Sequence, residues 1–185
     1  MVEVPELSTE RLILRPLDDG DHGAMAELFA DADAMWDLIG IPGRPSDGDG
    51  LARYYIERSM WSWQHYRAGL WSLSLRHPDP NQAVFAGYAG FVIEHGEKLD
   101  PAESIELGWA LAPDQRGKGL AIEATKAAMT YAFDVLGSRQ VAAITSPDNW
   151  PSRRLMERLG MTYEKDVTAY QGRQVYYAIA RPDDG

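Results

Sequence analysis

Cysteine is absent from the 185 residues of this chain. Disulfides, thiolate nucleophiles and cysteine-ligated metals are therefore excluded. The chain also lacks any apolar run approaching the roughly 20 residues that are needed to cross a bilayer. Its first residues, Met1 to Glu6, lack the basic and apolar regions of a secretion signal. We expect a soluble, cytoplasmic protein that makes no membrane contact.

Basic residues are scarce relative to acidic ones. The chain has 18 Lys and Arg against 28 Asp and Glu, which gives a formal net charge of −10. Such a surface repels polyanions, so we expect no nucleic-acid partner, and it attracts a cationic substrate such as an amine. An acidic surface that only maintains solubility is the alternative.

Histidines are also few, and they are spread along the chain. The four lie at positions 22, 65, 77 and 95. This arrangement has none of the short spacings typical of zinc ligands. We therefore predict no metal site.

Hydrophobic residues make up 45% of the chain and charged residues 25%, as in ordinary globular domains. No internal repeat or low-complexity linker divides the sequence, so we predict one α/β domain over residues 1–185. The hydrophobic patterns and turn residues predict strands at 12–17, 70–76, 83–94, 104–111, 140–145, 162–168 and 173–181. They predict helices at 24–30, 51–66, 117–136 and 151–159.

The most informative segment runs from Glu106 to Ala121, where an apolar strand passes through a glycine-rich step into a long helix. Gly117 and Gly119 permit positive φ angles and a close approach to the backbone. The helix amino terminus offers unpaired N–H groups and a partial positive charge, to which Arg116 and Lys118 add. Such a point binds phosphates. A tight strand-to-helix turn with exposed basic residues is the alternative.

Two phosphate-binding motifs do not fit this segment. The P-loop requires Ser or Thr after its lysine, whereas Gly119 follows Lys118. The dinucleotide motif requires a third glycine, but Ile122 stands at that position. These mismatches argue against nucleoside triphosphates and NAD as ligands.

The same segment resembles a known family. Arg116-x-x-Gly119-x-Ala121 is similar to the (Q/R)-x-x-G-x-(G/A) motif of the GNAT superfamily of acyl-CoA-dependent N-acetyltransferases. A second stretch, which begins Asn149-x-x-Ser152 and ends at residues 160–161, resembles the N-x-x-S…G-F segment of that family.

The opening residues Thr9 to Pro16 look like the start of the Rim-type branch, which includes ribosomal-protein N-terminal acetyltransferases. The resemblance extends over residues 9–180. It implies a mixed, mostly antiparallel sheet of about seven strands flanked by about four helices, with a splayed strand pair that holds the cofactor.

The resemblance also implies an acetyl-CoA site. The backbone of residues 117–121 would hold the pyrophosphate, and the strand before it would pair with the amides of the pantetheine arm. The side chain of Asn149 would contact the same arm, or cap the helix that follows it. The implied cofactor-binding residues are Trp109, Ala110, Leu111, Arg116, Gly117, Lys118, Gly119, Leu120, Ala121 and Asn149.

The implied reaction is acetyl transfer to an amine by direct attack in a ternary complex. Glu106 is the candidate general base, because a carboxylate on the strand leading into the cofactor site points either into the cleft or to solvent. A merely solvated strand residue is the alternative. Glu103 and Glu94 are weaker candidates.

The chain departs from the family pattern at the position of the general acid. Many family members place a tyrosine four residues before the glycine that ends the second motif, but this chain has Met156 there. Ser152 matches a Rim-type serine near the thiol, and a helix-capping role is its alternative. Tyr163 and Tyr170 could substitute, without support from a motif.

Aromatic residues crowd the region that helps to shape the acceptor site in this family, namely Tyr54, Tyr55, Trp61, Trp63, Tyr66 and Trp71. They would either clamp an amine by cation–π contact or pack in the core. The acceptor remains open among a protein α-amine, an aminoglycoside-like amine and a small metabolite. So does the choice between monomer and homodimer. A non-catalytic acyl-CoA-binding or regulatory module is the competing function.

Overall fold

A central eight-stranded sheet organises the protein, with the strand order β1-β2-β3-β4-β5-β6-β8-β7. The computed structural model describes residues 5–31, 45–79, 82–93, 100–169 and 172–182. The strands are β1 Leu7–Ser8, β2 Leu12–Pro16, β3 Leu70–Leu75, β4 Phe85–Phe91, β5 Ser104–Leu111, β6 Gln140–Thr145, β7 Thr162–Ala169 and β8 Gly172–Ala180. The α-helices in the described part are α1 His22–Ala30, α2 Gly48–Tyr66, α3 Leu120–Asp134 and α4 Trp150–Arg158.

The predicted α/β fold is confirmed, and the seven predicted strands are all present. The additional strand is β1, which pairs with β2 over two residues. It is too short to show the alternation by which strands are recognised in a sequence. The predicted end of the third strand, at 94, lies outside the described residues.

The sheet opens between β5 and β6. This pair is parallel, whereas the other neighbouring strands are antiparallel. Its register holds only from Ser104↔Gln140 to Glu106↔Ala142. Beyond that point residues 107–111 remain paired with β4 but not with β6. The predicted splay is therefore confirmed.

The two faces of the sheet carry separate cores. Ile105 and Leu107 of β5 pack in a cluster that includes Ala124 and Ala128 of α3. Ala110 packs against the other cluster, to which α1 and α2 contribute most of the residues. Because side chains alternate along a strand, Glu106 lies on the same face as Ala110, toward α1 and α2.

Two helix starts differ from the prediction by three residues. Helix α3 begins at Leu120 instead of 117, because Gly117 and Gly119 have φ angles of +75° and +79° and form a loop. Helix α2 begins at Gly48 instead of 51. There the side chain of Asp47 accepts a hydrogen bond from the Gly50 N–H at 2.8 Å and caps the helix.

Candidate active site

A cleft of about 910 Å³ opens where β5 and β6 diverge. Tyr55 and Tyr88 line it from the face of the sheet that α1 and α2 cover. Ile122 of α3 and Leu155 of α4 line it from the opposite face. The gap in the sheet therefore connects the two faces, so that ligands entering from opposite sides can meet within it.

Most of the residues predicted from the sequence meet in this cleft. Those that line it are Glu106, Trp109, Ala110, Leu111, Arg116, Gly117, Gly119, Ala121, Asn149 and Ser152. Lys118 and Leu120 lie beside it instead. The Lys118 ammonium donates to Gln115 at 3.1 Å, and the Leu120 side chain is buried in the core.

The glycine loop leaves the start of α3 open to an anion. Gly119 is the N-cap residue of α3 in a left-handed conformation, and no side chain caps the helix. The first N–H groups of a helix have no partner within the helix and carry its partial positive charge. Because the loop also borders the cleft, these groups can donate hydrogen bonds to an anion at this end of it, which we call the anion site.

Arg116 was predicted to add positive charge to the phosphate position, but its guanidinium is paired within the protein. Its guanidinium forms an ion pair with Asp31 at 2.6 Å and donates to the Leu111 carbonyl at 3.1 Å. Asp31 follows the last residue of α1, so Arg116 joins the loop to that helix and its charge is balanced there. Sequence reasoning missed Arg154 and Arg158, which line the cleft one helical turn apart on α4. Their i, i+4 spacing was the available signal.

Asn149 caps α4, which was the predicted alternative to contact with the pantetheine arm. Its side-chain oxygen accepts a hydrogen bond from the Ser152 N–H at 3.2 Å. The cap fixes the first turn of α4, so that Ser152 borders the cleft. Met156, one turn further along, is buried and lines the same cleft. Since a thioether cannot donate a proton, the usual tyrosine acid has no equivalent there.

Glu106 borders the cleft at the point where the two strands separate. It is the last residue of β5 in register with β6. Burial raises the pKa of Tyr176, and the negative charges of Glu164 and Glu106 raise it further. The register pairs Glu106 with Ala142 and Ile144 with Tyr176, so Glu106 and Tyr176 lie on the same face of the sheet.

The weaker candidates lie elsewhere. Glu103 is exposed and pairs with Arg139 at 3.1 Å. Tyr163 is half exposed on β7 and donates to Asp166 at 3.2 Å, away from the cleft. Glu94 and Tyr170 fall outside the described residues.

The aromatic group divides between the core and the cleft. Trp63 and Trp71 are buried, with ring centroids 4.7 Å apart in an edge-to-face arrangement. Packing therefore explains these two. Tyr55 borders the cleft and lies 5.9 Å from the ring of Tyr88 on β4, which sequence reasoning had not connected with the site.

Gln174 is a further cleft residue that no sequence signal indicated. Its side chain on β8 is only 6% exposed, and its oxygen has no hydrogen-bond partner among the described residues. The register pairs Ile144 with Tyr176, so Gln174, two residues before Tyr176, lies on the same face as Ile144. Both residues line the cleft.

A comparison of the sequence with models of known protein families shows which family the chain belongs to. Residues 11–162 match the model of the Acetyltransferase (GNAT) domain. The chain belongs to the GNAT acetyltransferase family. Acetyl transfer is the general chemistry of this family.

In the part of the chain that the structure describes, no helix is long and apolar enough to cross a membrane. The same residues contain no group of three His, Asp or Glu placed to hold a metal ion.

Relatives agree with this membership, and a solved structure shares the fold. The chain is 28% identical to the uncharacterized N-acetyltransferase YnaD of Bacillus subtilis over 159 residues, which cover 85% of this chain and 83% of that protein. It is 26% identical to the [Ribosomal protein uS5]-alanine N-acetyltransferase of Escherichia coli, covering 96% and 91%. The ribosomal L7/L12 α-N-protein acetyltransferase RimL, solved with coenzyme A, shares the fold with a TM-score of 0.73, 18% identity and 97% coverage of each chain.

Proposed function

We propose that this GNAT protein transfers an acetyl group from acetyl-CoA to an amine by direct attack within a ternary complex. The cleft at the β5–β6 gap carries this proposal, because it joins the anion-binding glycine loop to Glu106 on the opposite face. A thioester entering from the loop side and an amine entering from the α1–α2 side would meet where the strands separate. The RimL structure, which contains coenzyme A, supports the choice of cofactor.

Backbone groups account for much of the expected cofactor binding. The N–H groups at the start of α3 would receive the pyrophosphate. Residues 107–111 of β5 are paired with β4 on one edge and border the cleft on the other. The two amides of pantetheine can pair with that second edge as an added strand does. The pairing would direct the thioester along β5 toward Glu106.

The reaction needs a neutral amine and a protonated leaving group. The amine nitrogen attacks the thioester carbonyl carbon, the new C–N bond forms, and the C–S bond of the resulting tetrahedral intermediate breaks. Glu106 accepts the amine proton, directly or through a water molecule. The hydroxyl of Ser152 donates a hydrogen bond to the departing thiolate, which takes its proton from solvent. No covalent enzyme intermediate is involved, which is consistent with a chain without cysteine.

We propose that the acceptor is a cationic amine or the α-amine of a peptide. The net charge of −10 favours a cation. The relative that acts on an alanine of ribosomal protein uS5 supports a peptide α-amine. Release of free coenzyme A should be measured with an alanine-initiated peptide, an aminoglycoside and the polyamine spermidine. Turnover with any of them supports the enzyme.

The absence of a tyrosine at Met156 favours a second candidate, a non-catalytic acyl-CoA-binding or regulatory module. Tight binding of acetyl-CoA without turnover of any amine in the panel would support the module.

Asn149 offers a test of cofactor contact that keeps the helix cap intact. Serine caps helices as well as asparagine does but lacks the amide. Asn149→Ser is expected to leave the melting temperature nearly unchanged and to weaken coenzyme A binding by about tenfold, the loss of one hydrogen bond. Calorimetry and thermal unfolding measure the two quantities. Unchanged affinity would restrict Asn149 to capping.

Gln174 offers a test on the acceptor side. A buried polar atom without a partner costs about 1–3 kcal/mol, so Gln174→Leu should raise the melting temperature by several degrees, at roughly 2–4 °C per kcal/mol for a domain of this size. If its oxygen receives an N–H of the acceptor, the same variant should raise the KM of the amine and leave that of acetyl-CoA unchanged.

A matched control is Gln140→Leu. Gln140 accepts a hydrogen bond from the Tyr176 hydroxyl at 3.1 Å, so its loss should lower the melting temperature. If Gln174→Leu lowers the melting temperature as well, Gln174 has a structural role, and an unchanged KM for the amine would refute its place in acceptor binding.

A further inference from the structure

The opening segment of the chain reaches the glycine loop through Arg11. Thr9 Oγ1 and the Arg11 backbone N–H both donate to Glu123 Oε1, at 2.6 and 2.8 Å. The Arg11 guanidinium binds the other carboxylate oxygen through Nε and Nη2, each at 2.7 Å. Its Nη1 donates to the Lys118 carbonyl at 2.8 Å. Arg11 therefore joins the first turn of α3 to the loop that precedes it.

The bond to the Lys118 carbonyl orients the next peptide N–H. The described residues contain no cis peptide bond, and in a trans peptide the C=O of one residue and the N–H of the next point in opposite directions. Holding the carbonyl of Lys118 toward Arg11 turns the N–H of Gly119 away from Arg11. Gly119 also borders the cleft, which Arg11 does not line. The contact thus presents a donor to the anion site.

Arg11 also balances a charge that would oppose an anion. Glu123 lies in the first turn of α3, beside the phosphate position. Burial raises the pKa of its carboxyl, but the hydrogen bonds from Thr9 and Arg11 outweigh burial and hold it below its ordinary value of 4.5. The carboxylate is thus ionised at neutral pH. Its stabilising effect is complete above that value and is lost as the pH falls through the lowered pKa.

We propose that Arg11 is a positioning residue that holds the loop in its pyrophosphate-binding conformation. This inference rests on the proposed use of acetyl-CoA and assigns a role to the Thr9-x-Arg11 segment. Arg11 does not need to touch the cofactor. Its guanidinium acts through two groups, the Lys118 carbonyl and the Glu123 carboxylate.

The test compares a ligand that has the pyrophosphate with one that lacks it. Affinities of coenzyme A and of pantetheine, which has the same arm, are measured by ligand-observed NMR, which detects millimolar binding. Arg11→Ala should weaken coenzyme A binding on the order of 10- to 100-fold, since it removes several charge-assisted hydrogen bonds. The affinity of pantetheine should not change. Arg11→Lys keeps the charge but loses the planar set of guanidinium N–H donors, so it should also bind coenzyme A weakly. This variant replaces Arg11→Ala if Arg11→Ala does not fold.

A double variant separates positioning from charge balance. In Arg11→Ala/Glu123→Gln the unbalanced carboxylate is gone but the Lys118 carbonyl is still released, so coenzyme A binding should remain weak. Full restoration would overturn positioning, and so would equal losses for coenzyme A and pantetheine. Arg139→Ala, which breaks an exposed ion pair with Glu103, is the control and should change neither affinity. If the unmodified protein binds no coenzyme A, the proposed function itself fails.

Discussion

Gly117→Glu is expected to reduce coenzyme A binding by at least about 100-fold, because it places a carboxylate beside the proposed pyrophosphate position. An added Cβ at Gly117 meets no atom within 4 Å, so the side chain fits without a clash. The φ of +75° costs a non-glycine residue about 1–2 kcal/mol, which the fold should tolerate. Isothermal titration calorimetry with coenzyme A measures the effect.

Gly137→Glu is a closely matched control. Gly137 has a φ of +70°, and a Cβ there also meets nothing within 4 Å. It follows the carboxyl-terminal end of α3, whereas Gly117 precedes the amino-terminal end. The two variants thus share the change in charge and the backbone strain but differ in location. Similar affinities for coenzyme A in both variants would show that the glycine loop is not part of the cofactor site.

Glu106→Gln is expected to lower kcat by about 10²- to 10⁴-fold, the usual contribution of a positioned general base. The amide keeps the shape of the side chain but cannot accept the amine proton. Binding of acetyl-CoA should be unchanged, because the contacts proposed for the pyrophosphate and the pantetheine arm lie elsewhere. Steady-state kinetics with the best acceptor of the panel, together with calorimetry, separates the two effects.

Glu103→Gln serves as the control for this variant. Glu103 lies on the same chain segment but is exposed and paired with Arg139, so its kcat should match that of the unmodified protein. If Glu106→Gln retains full kcat, the carboxylate is a solvated strand residue and the base lies elsewhere. Loss of activity in both variants to the same degree would indicate a general effect of the strand.

The glycine loop and the order of strands and helices could be predicted because their signals lie in short stretches of sequence. The turn residues before Arg116, the paired glycines and the helix that follows are all visible within one short segment of sequence. The start of α3 was nevertheless misplaced by three residues. A glycine between helix formers reads as either loop or helix, and only its φ angle, positive at Gly117 and Gly119, decides between them.

The other cleft residues depend on tertiary structure. Tyr88 and Gln174 lie on β4 and β8, strands that join the site only because β5 and β6 separate between them. Neither residue belongs to a motif. The partners of Arg116 and Arg11 were hidden for the same reason, since Asp31 and Glu123 lie 85 and 112 residues away in the chain. Pairings at that separation leave no periodic signal in a single sequence.

The departure at Met156 shapes the chemistry more than any other feature of the site. A buried thioether in the cleft can pack against the thioester but cannot protonate a thiolate. Ser152, held at the start of α4 by the Asn149 cap, is the remaining motif residue with a hydroxyl. A thiolate that leaves in this cleft would therefore receive a hydrogen bond, with its proton supplied by solvent.

A crystal structure with acetyl-CoA tests the central claim most directly. The account predicts the pyrophosphate within hydrogen-bond distance of the N–H groups of residues 117–121, and the pantetheine arm along the free edge of β5. The thioester should lie between Glu106 and Ser152. Cofactor bound elsewhere, or a closed β5–β6 gap with the arm outside it, would contradict the account.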